Sequence, residues 1–121
     1  MASEHLESAK ALYEKGHEAL EGGHSDDALE VLDQGIQELY AQLAQERSLS
    51  IDEALHLPRE TIIESFQRDD LAARLMCEKG IAAFNCGDPA LAEKLFNEAA
   101  EASPGGVPSE AIEKAKKLLA A

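Results

Sequence analysis

Aromatic residues are scarce in this chain. They make up 4% of its 121 residues, and tryptophan is absent. Ala and Leu dominate the apolar set instead, as suits helices whose backbones approach closely. β-Branched residues are also few: Val31, Val107, Thr61 and the isoleucines at 36, 51, 62, 63, 81 and 112. That argues against a sheet. The only cysteines, Cys77 and Cys86, stand nine residues apart. On one helix they fall on opposite faces, about 13 Å apart along the axis, and cannot form a disulfide. Free thiols suit a reducing compartment. No apolar run reaches the length of about 20 residues that spans a bilayer as a helix. The opening Met1-Ala2-Ser3-Glu4-His5 has no basic segment followed by an apolar one, so no secretory leader is expected and the cytoplasm is the expected location. Positive charge is scarce too. Eleven Lys and Arg face 24 Asp and Glu, for a net charge of -13. Such a chain repels nucleic acid and anionic membranes. Residues 1–40 hold ten acids against two bases, whereas residues 73–121 hold seven against six. The excess favours solubility everywhere, and in the N-terminal third it also favours basic partners.

What the chain does have is an internal repeat. Gly16 is followed by Gly23, Ala28, Leu32 and Gly35; Gly80 is followed at the same spacings by Gly87, Ala92, Phe96 and Ala99. Glu14-Lys15-Gly16 and Glu78-Lys79-Gly80 open the two sets. Self-similarity at this scale marks a stack of helical units, an architecture that offers binding surfaces.

Apolar residues recur at three- and four-residue spacing along most of the chain, which predicts helices. Ser3 is placed to cap the first, with the stripe Leu6, Ala9, Leu12, Tyr13, Gly16 and Leu20, and Gly22-Gly23 ends it. Ser25 or Asp26 is placed to cap a second helix reaching about Arg47. Ser50-Ile51-Asp52-Glu53 reads as a capping box opening a short helix to about His56. Leu57-Pro58 breaks it, and Pro58 suits the first position of the next helix. Gln67-Arg68-Asp69-Asp70 reads as a break, with Asp69 or Asp70 capping a helix to Asn85; one long helix over 59–85 is the alternative. Gly87-Asp88-Pro89 reads as a tight turn with Asp88 as cap and Pro89 as first helical residue. Residues 103–108 form a loop, and Ser109 caps a last helix.

Residues 9–40 and 73–104 resemble the tetratricopeptide repeat, a helix–turn–helix unit. The second unit carries the pattern in Met76, Gly80, Ala83, Ala92, Phe96 and Pro104; the first carries it in Leu12, Gly16, Ala19, Ala28 and Leu32, with Tyr40 in place of the proline. Lys15 and Lys79 stand where the family usually has Leu. The resemblance implies one all-α domain over 1–121, a right-handed stack of six or seven helices. Residues 41–72 would be either a shortened third unit or an insertion, and the helix 109–120 a solvating cap. It also implies that Gly16 packs against Ala28 and Gly80 against Ala92, with Leu32 and Phe96 filling the space between units.

In such units the first helix lines a concave groove that receives a peptide or partner helix. By position, the groove side presents Lys10, Tyr13, His17 and Glu21 from the first unit, and Arg74, Cys77, Ile81 and Asn85 from the second. Tyr13 and Ile81 are equally readable as core, and Phe84 reads as core. Chaperone-binding members carry Lys and Asn where Tyr13 and His17 stand, so recognition of a C-terminal acidic tail is not implied. No Ser–His–Asp order, phosphate loop or Cys-x-x-Cys is present, and the scattered histidines match no metal-ligand spacing. Cys77, three residues from Arg74, is a candidate reactive thiol, although a buried apolar role suits it as well. The expectation is a non-enzymatic protein-interaction module without cofactor or metal. Its partner would be a protein or peptide, basic and amphipathic in character. The alternative is a self-associating homo-oligomer whose groove is filled by a second copy.

Overall fold

The computed structural model describes residues 4–120. Among them the chain forms seven α-helices, one 3₁₀ turn and no strand. The helices are α1 (Glu4–Glu21), α2 (Ser25–Arg47), α3 (Ile51–Leu55), α4 (Arg59–Phe66), α5 (Leu71–Asn85), α6 (Pro89–Ala102) and α7 (Glu110–Ala120); the 3₁₀ turn spans Pro104–Gly106. Ser3, the expected first cap, lies outside the described residues.

α1 and α2 form one helical hairpin, and α5 and α6 form another. Their turns are built alike. Gly23 and Gly87 have φ of +81° and +87°, where a side chain would be strained. The next amides reach back across each turn, His24 N to Ala19 O at 2.8 Å and Asp88 N to Ala83 O at 2.9 Å. Gly23 N donates to Leu20 O and Gly87 N to Phe84 O, completing the paired bonds of a Schellman end. The repeat therefore extends from residue spacing to backbone hydrogen bonding. The turns differ in their caps. Asp88 accepts from Leu91 N at 3.1 Å, as its position predicts. At the other turn the N-cap is His24 and not Ser25 or Asp26, and its side chain makes no capping bond. The Schellman end fixes where α2 begins, and Ser25 instead accepts a hydrogen bond from Asn85.

The packing of the repeated glycines departs from expectation. A Cβ on Gly16 would lie 2.5 Å from Leu32 Cγ, and one on Gly80 would lie 2.5 Å from Phe96 Cε1. Leu32 and Phe96 thus close each hairpin from within, and their side chains supply the atoms nearest the glycines. The reason is size: only a large side chain reaches across to a backbone that has none of its own. Leu32 and Phe96 are fully buried, and each such burial contributes roughly 1.5–3 kcal/mol. A third glycine sets the spacing between hairpins. Gly35 on α2 takes Leu75 of α5, whose Cδ2 would be 2.7 Å from an added Cβ. α5 therefore packs directly on α2.

Residues 41–72 place no helix between the two hairpins. α3 lies against α2, and α4 against α5 and α6. Ser50 and Glu53 form the expected capping box, each bond 3.1 Å long. Pro58 stands one place earlier than expected, at the N-cap of α4, where its carbonyl accepts from Thr61 N and Ile62 N. The long helix over 59–85 does not form: α4 stops at Phe66, and Asp69 Oδ1 takes the Leu71 amide at 2.9 Å to start α5. Tyr40 and Phe66 meet edge to face at 5.2 Å, tying α4 to α2. Arg59 pairs with Glu101, and Arg68 with Glu46 at 2.8 Å.

Part of the loop at 103–108 is ordered as the 3₁₀ turn. Buried Ser103 donates to Ala99 O at 2.8 Å and closes α6. Ser109 Oγ then accepts from Ile112 N, and α7 folds back onto α6 and α5 with Ile112 and Ala115 buried.

Candidate binding cleft

α1, α5 and the segment from Ser103 through α7 enclose a cleft of about 390 Å³. Tyr13 contributes from α1; Ala73, Cys77 and Ile81 from α5; Val107, Ala111 and Ile112 from the third wall. Asp70, Arg74 and Glu78 supply its charged groups. The cleft forms because Gly35 lets α5 sit close to α2, which brings one face of α5 beside α1. The short link after α6 then swings α7 across the far side.

Four of the eight groove residues expected from the sequence line this cleft: Tyr13, Arg74, Cys77 and Ile81. The other four do not. Lys10 is exposed on α1, a turn before Tyr13. Asn85 lies past the cleft, where its amide donates to Ser25 Oγ at 3.2 Å and clasps the end of α5 to the start of α2. His17 and Glu21 sit beside the cleft in an ionic bridge. His17 Nδ1 is 2.6 Å from Glu78 Oε1, and Nε2 is 2.8 Å from Glu21 Oε1. The His17 ring also stacks on Tyr13, with centroids 6.1 Å apart.

Spacing alone missed Glu78 and the whole third wall. Glu78 neighbours Cys77 and projects from the same part of α5. The wall from α7 was readable only as a solvating cap, although its small Ala111 beside Ile112 suits a cleft lining. Phe84 is not core: it is 36% exposed. The buried stripe of α5 passes through Gly80 and Ala83, and Phe84 lies at its margin in the last turn.

Burial decides the chemistry of the cleft. The Cys77 thiol is pushed up to about 11, by burial first and Glu78 second. It stays protonated at neutral pH, and Arg74 does not activate it, because that guanidinium is committed to Asp70 at 2.7 Å. Cys77 is therefore a packing residue; Cys86, the other free thiol, is exposed. The Tyr13 hydroxyl is raised by burial and then by Glu78. The hydrogen bond that the His17 ring gives to Glu78 leads the causes that raise His17, which burial opposes. Among the described residues no three His, Cys, Asp or Glu side chains are arranged to share a metal ion. Nor does any buried side-chain nitrogen or oxygen there lack a hydrogen-bond partner. The cleft offers apolar area together with the charged side chains of Asp70, Arg74 and Glu78. No protein-family model, curated protein or solved structure matches this chain.

Proposed function

We propose that this chain is a non-enzymatic protein-interaction module, built as a tetratricopeptide-like stack, and that the cleft between α1, α5 and α7 receives a peptide or partner helix. The observation that carries this reading is the cleft itself: apolar side chains from three helices converge on one open surface. The stack is supported by two hairpins with the same residue spacing and the same turn bonds, adjoining through Gly35 and Leu75. In this reading residues 41–72 are an insertion bracing the outer side, and α7 both caps the stack and completes the groove. A basic amphipathic segment suits the surface. It would set apolar anchors on Tyr13, Ile81 and Ile112 and direct Lys or Arg toward the carboxylates of the acidic N-terminal third. A cytoplasmic setting accords with two free thiols.

The test is a titration of isotope-labelled protein with a short leucine–lysine helical peptide at two salt concentrations. Amide shifts are expected at Tyr13, Ala73, Ile81 and Ile112, with weaker affinity at high salt, because the Debye length is about 8 Å at physiological ionic strength. Shifts confined to Lys114, Lys116 and Lys117 on α7, or affinity indifferent to salt, would overturn the reading.

A further inference from the structure

His17 is held by two carboxylates on opposite ring nitrogens, one on its own helix and one on α5. A neutral imidazole has a single N–H to donate. Both contacts are satisfied only by the imidazolium. The two carboxylates are not equivalent. Glu21 is 69% exposed, and water readily replaces His17 there. Glu78 is 14% exposed, and water replaces a lost partner there less readily. Glu78 also lines the cleft, whereas His17 stands outside it. One carboxylate is thus shared between an internal cation and the proposed binding surface.

Among the described residues no other cation is paired with Glu78. From α1, His17 faces Glu21 and Tyr13. From α5 it faces Glu78, while Arg74 is paired with Asp70. Lys79, next in sequence, is turned to Asp33 of α2 at 2.8 Å. The third wall meets the cleft with the uncharged Val107, Ser109, Ala111 and Ile112.

We propose that Glu78 is the cleft's anchor for a lysine or arginine of the partner, and that protonated His17 occupies this anchor when the cleft is empty. The proposal rests on the cleft being the binding surface. When a basic side chain reaches Glu78, the imidazolium loses its partner and gives its proton to solvent; an ammonium or guanidinium takes its place. Binding of a basic segment is therefore coupled to proton release, and raising the pH favours it. His17 also acts as a filter, since an apolar segment without a cation cannot displace it.

The experiment is calorimetric titration of the full chain with the leucine–lysine peptide at pH 6.0 and 8.5, at fixed ionic strength and in buffers of differing ionisation enthalpy. Peptide lysines remain charged at both values. The expected result is affinity about threefold tighter at pH 8.5, the worth of one part-exposed ion pair. Release of up to one proton is expected near the midpoint of His17, read separately by NMR on the peptide-free protein. His17→Gln should bind equally at both pH values. Glu78→Gln should bind weakly at both, with its helical signal at 222 nm checked first. Binding without proton release at the His17 midpoint in the unmodified protein overturns the anchor and leaves the groove reading intact. A peptide that fails to bind at either pH overturns the groove reading, and the anchor with it. A His17 midpoint at or below about 6.5 overturns the bridge independently of any peptide.

Discussion

Gly80 shows how much one missing side chain can decide. Its neighbour Phe96 is fully buried, and an aromatic ring cannot fold away as the end of a flexible chain can. Gly80→Leu is expected to destabilise the chain by about 1–3 kcal/mol through overpacking, outweighing the roughly 1 kcal/mol by which leucine favours a helix over glycine. Combining it with Phe96→Ala should cost less than the sum of the separate changes, because the smaller residue opens the space. Urea unfolding of the four proteins measures this. Strict additivity would mean that the two residues do not share the contact. The existence of a tight contact at Gly80 was legible from the repeat. Its partner was not, because Ala92 and Phe96 lie on the same face of α6 one turn apart and spacing does not distinguish them.

At the scale of the element, the start and stop signals are mostly local chemistry. The capping box at Ser50, the Asp88 cap before Pro89 and the Ser109 cap each form where residue type predicts. Asp88→Ala should cost about 0.5–2 kcal/mol, read as a lower urea midpoint with unchanged slope. His24→Ala, at the equivalent turn, should cost less, because the His24 side chain makes no capping bond. Equal losses at both turns would show that the Asp88 bond contributes nothing. The cap of α2 was misplaced from sequence because the Schellman bonds of the preceding helix, and not a side chain, set where α2 begins. The division between α4 and α5 was readable in the polar run Gln67-Arg68-Asp69-Asp70, yet a continuous helix remained open until the Asp69–Leu71 bond closed the break.

For the molecule as a whole, the two hairpins are joined by packing and by ion pairs. Lys79 reaches Asp33 from α5 to α2, and His17 reaches Glu78 from α1 to α5. The folded-state pKa of His17 is raised above its ordinary value. Its contribution to stability is therefore fully present below about pH 6.5 and is lost as pH rises through the folded value. Because the His17 side chain is 46% exposed, solvent screens the pair and the effect is small. Urea midpoints of the unmodified chain and of His17→Gln should differ at pH 6 and converge at pH 9. A difference that grows with pH would reverse the assigned charge state.

The sequence by itself determined the helical class, the position of nearly every helix and the two related hairpins. Those features follow from apolar periodicity, caps and turn glycines, each of which acts over a few residues. The helical period also placed Arg74, Cys77 and Ile81 together along α5, while setting Tyr13 of α1 on the same surface was implied only by the family resemblance. Only the tertiary structure decided that α2 and α5 adjoin without a helix between them, that α7 walls the cleft, and that His17 pairs with Glu78 across 61 residues. These depend on how close two backbones can come, which is set jointly by a glycine on one helix and a large side chain on another. No pattern within one segment records that meeting.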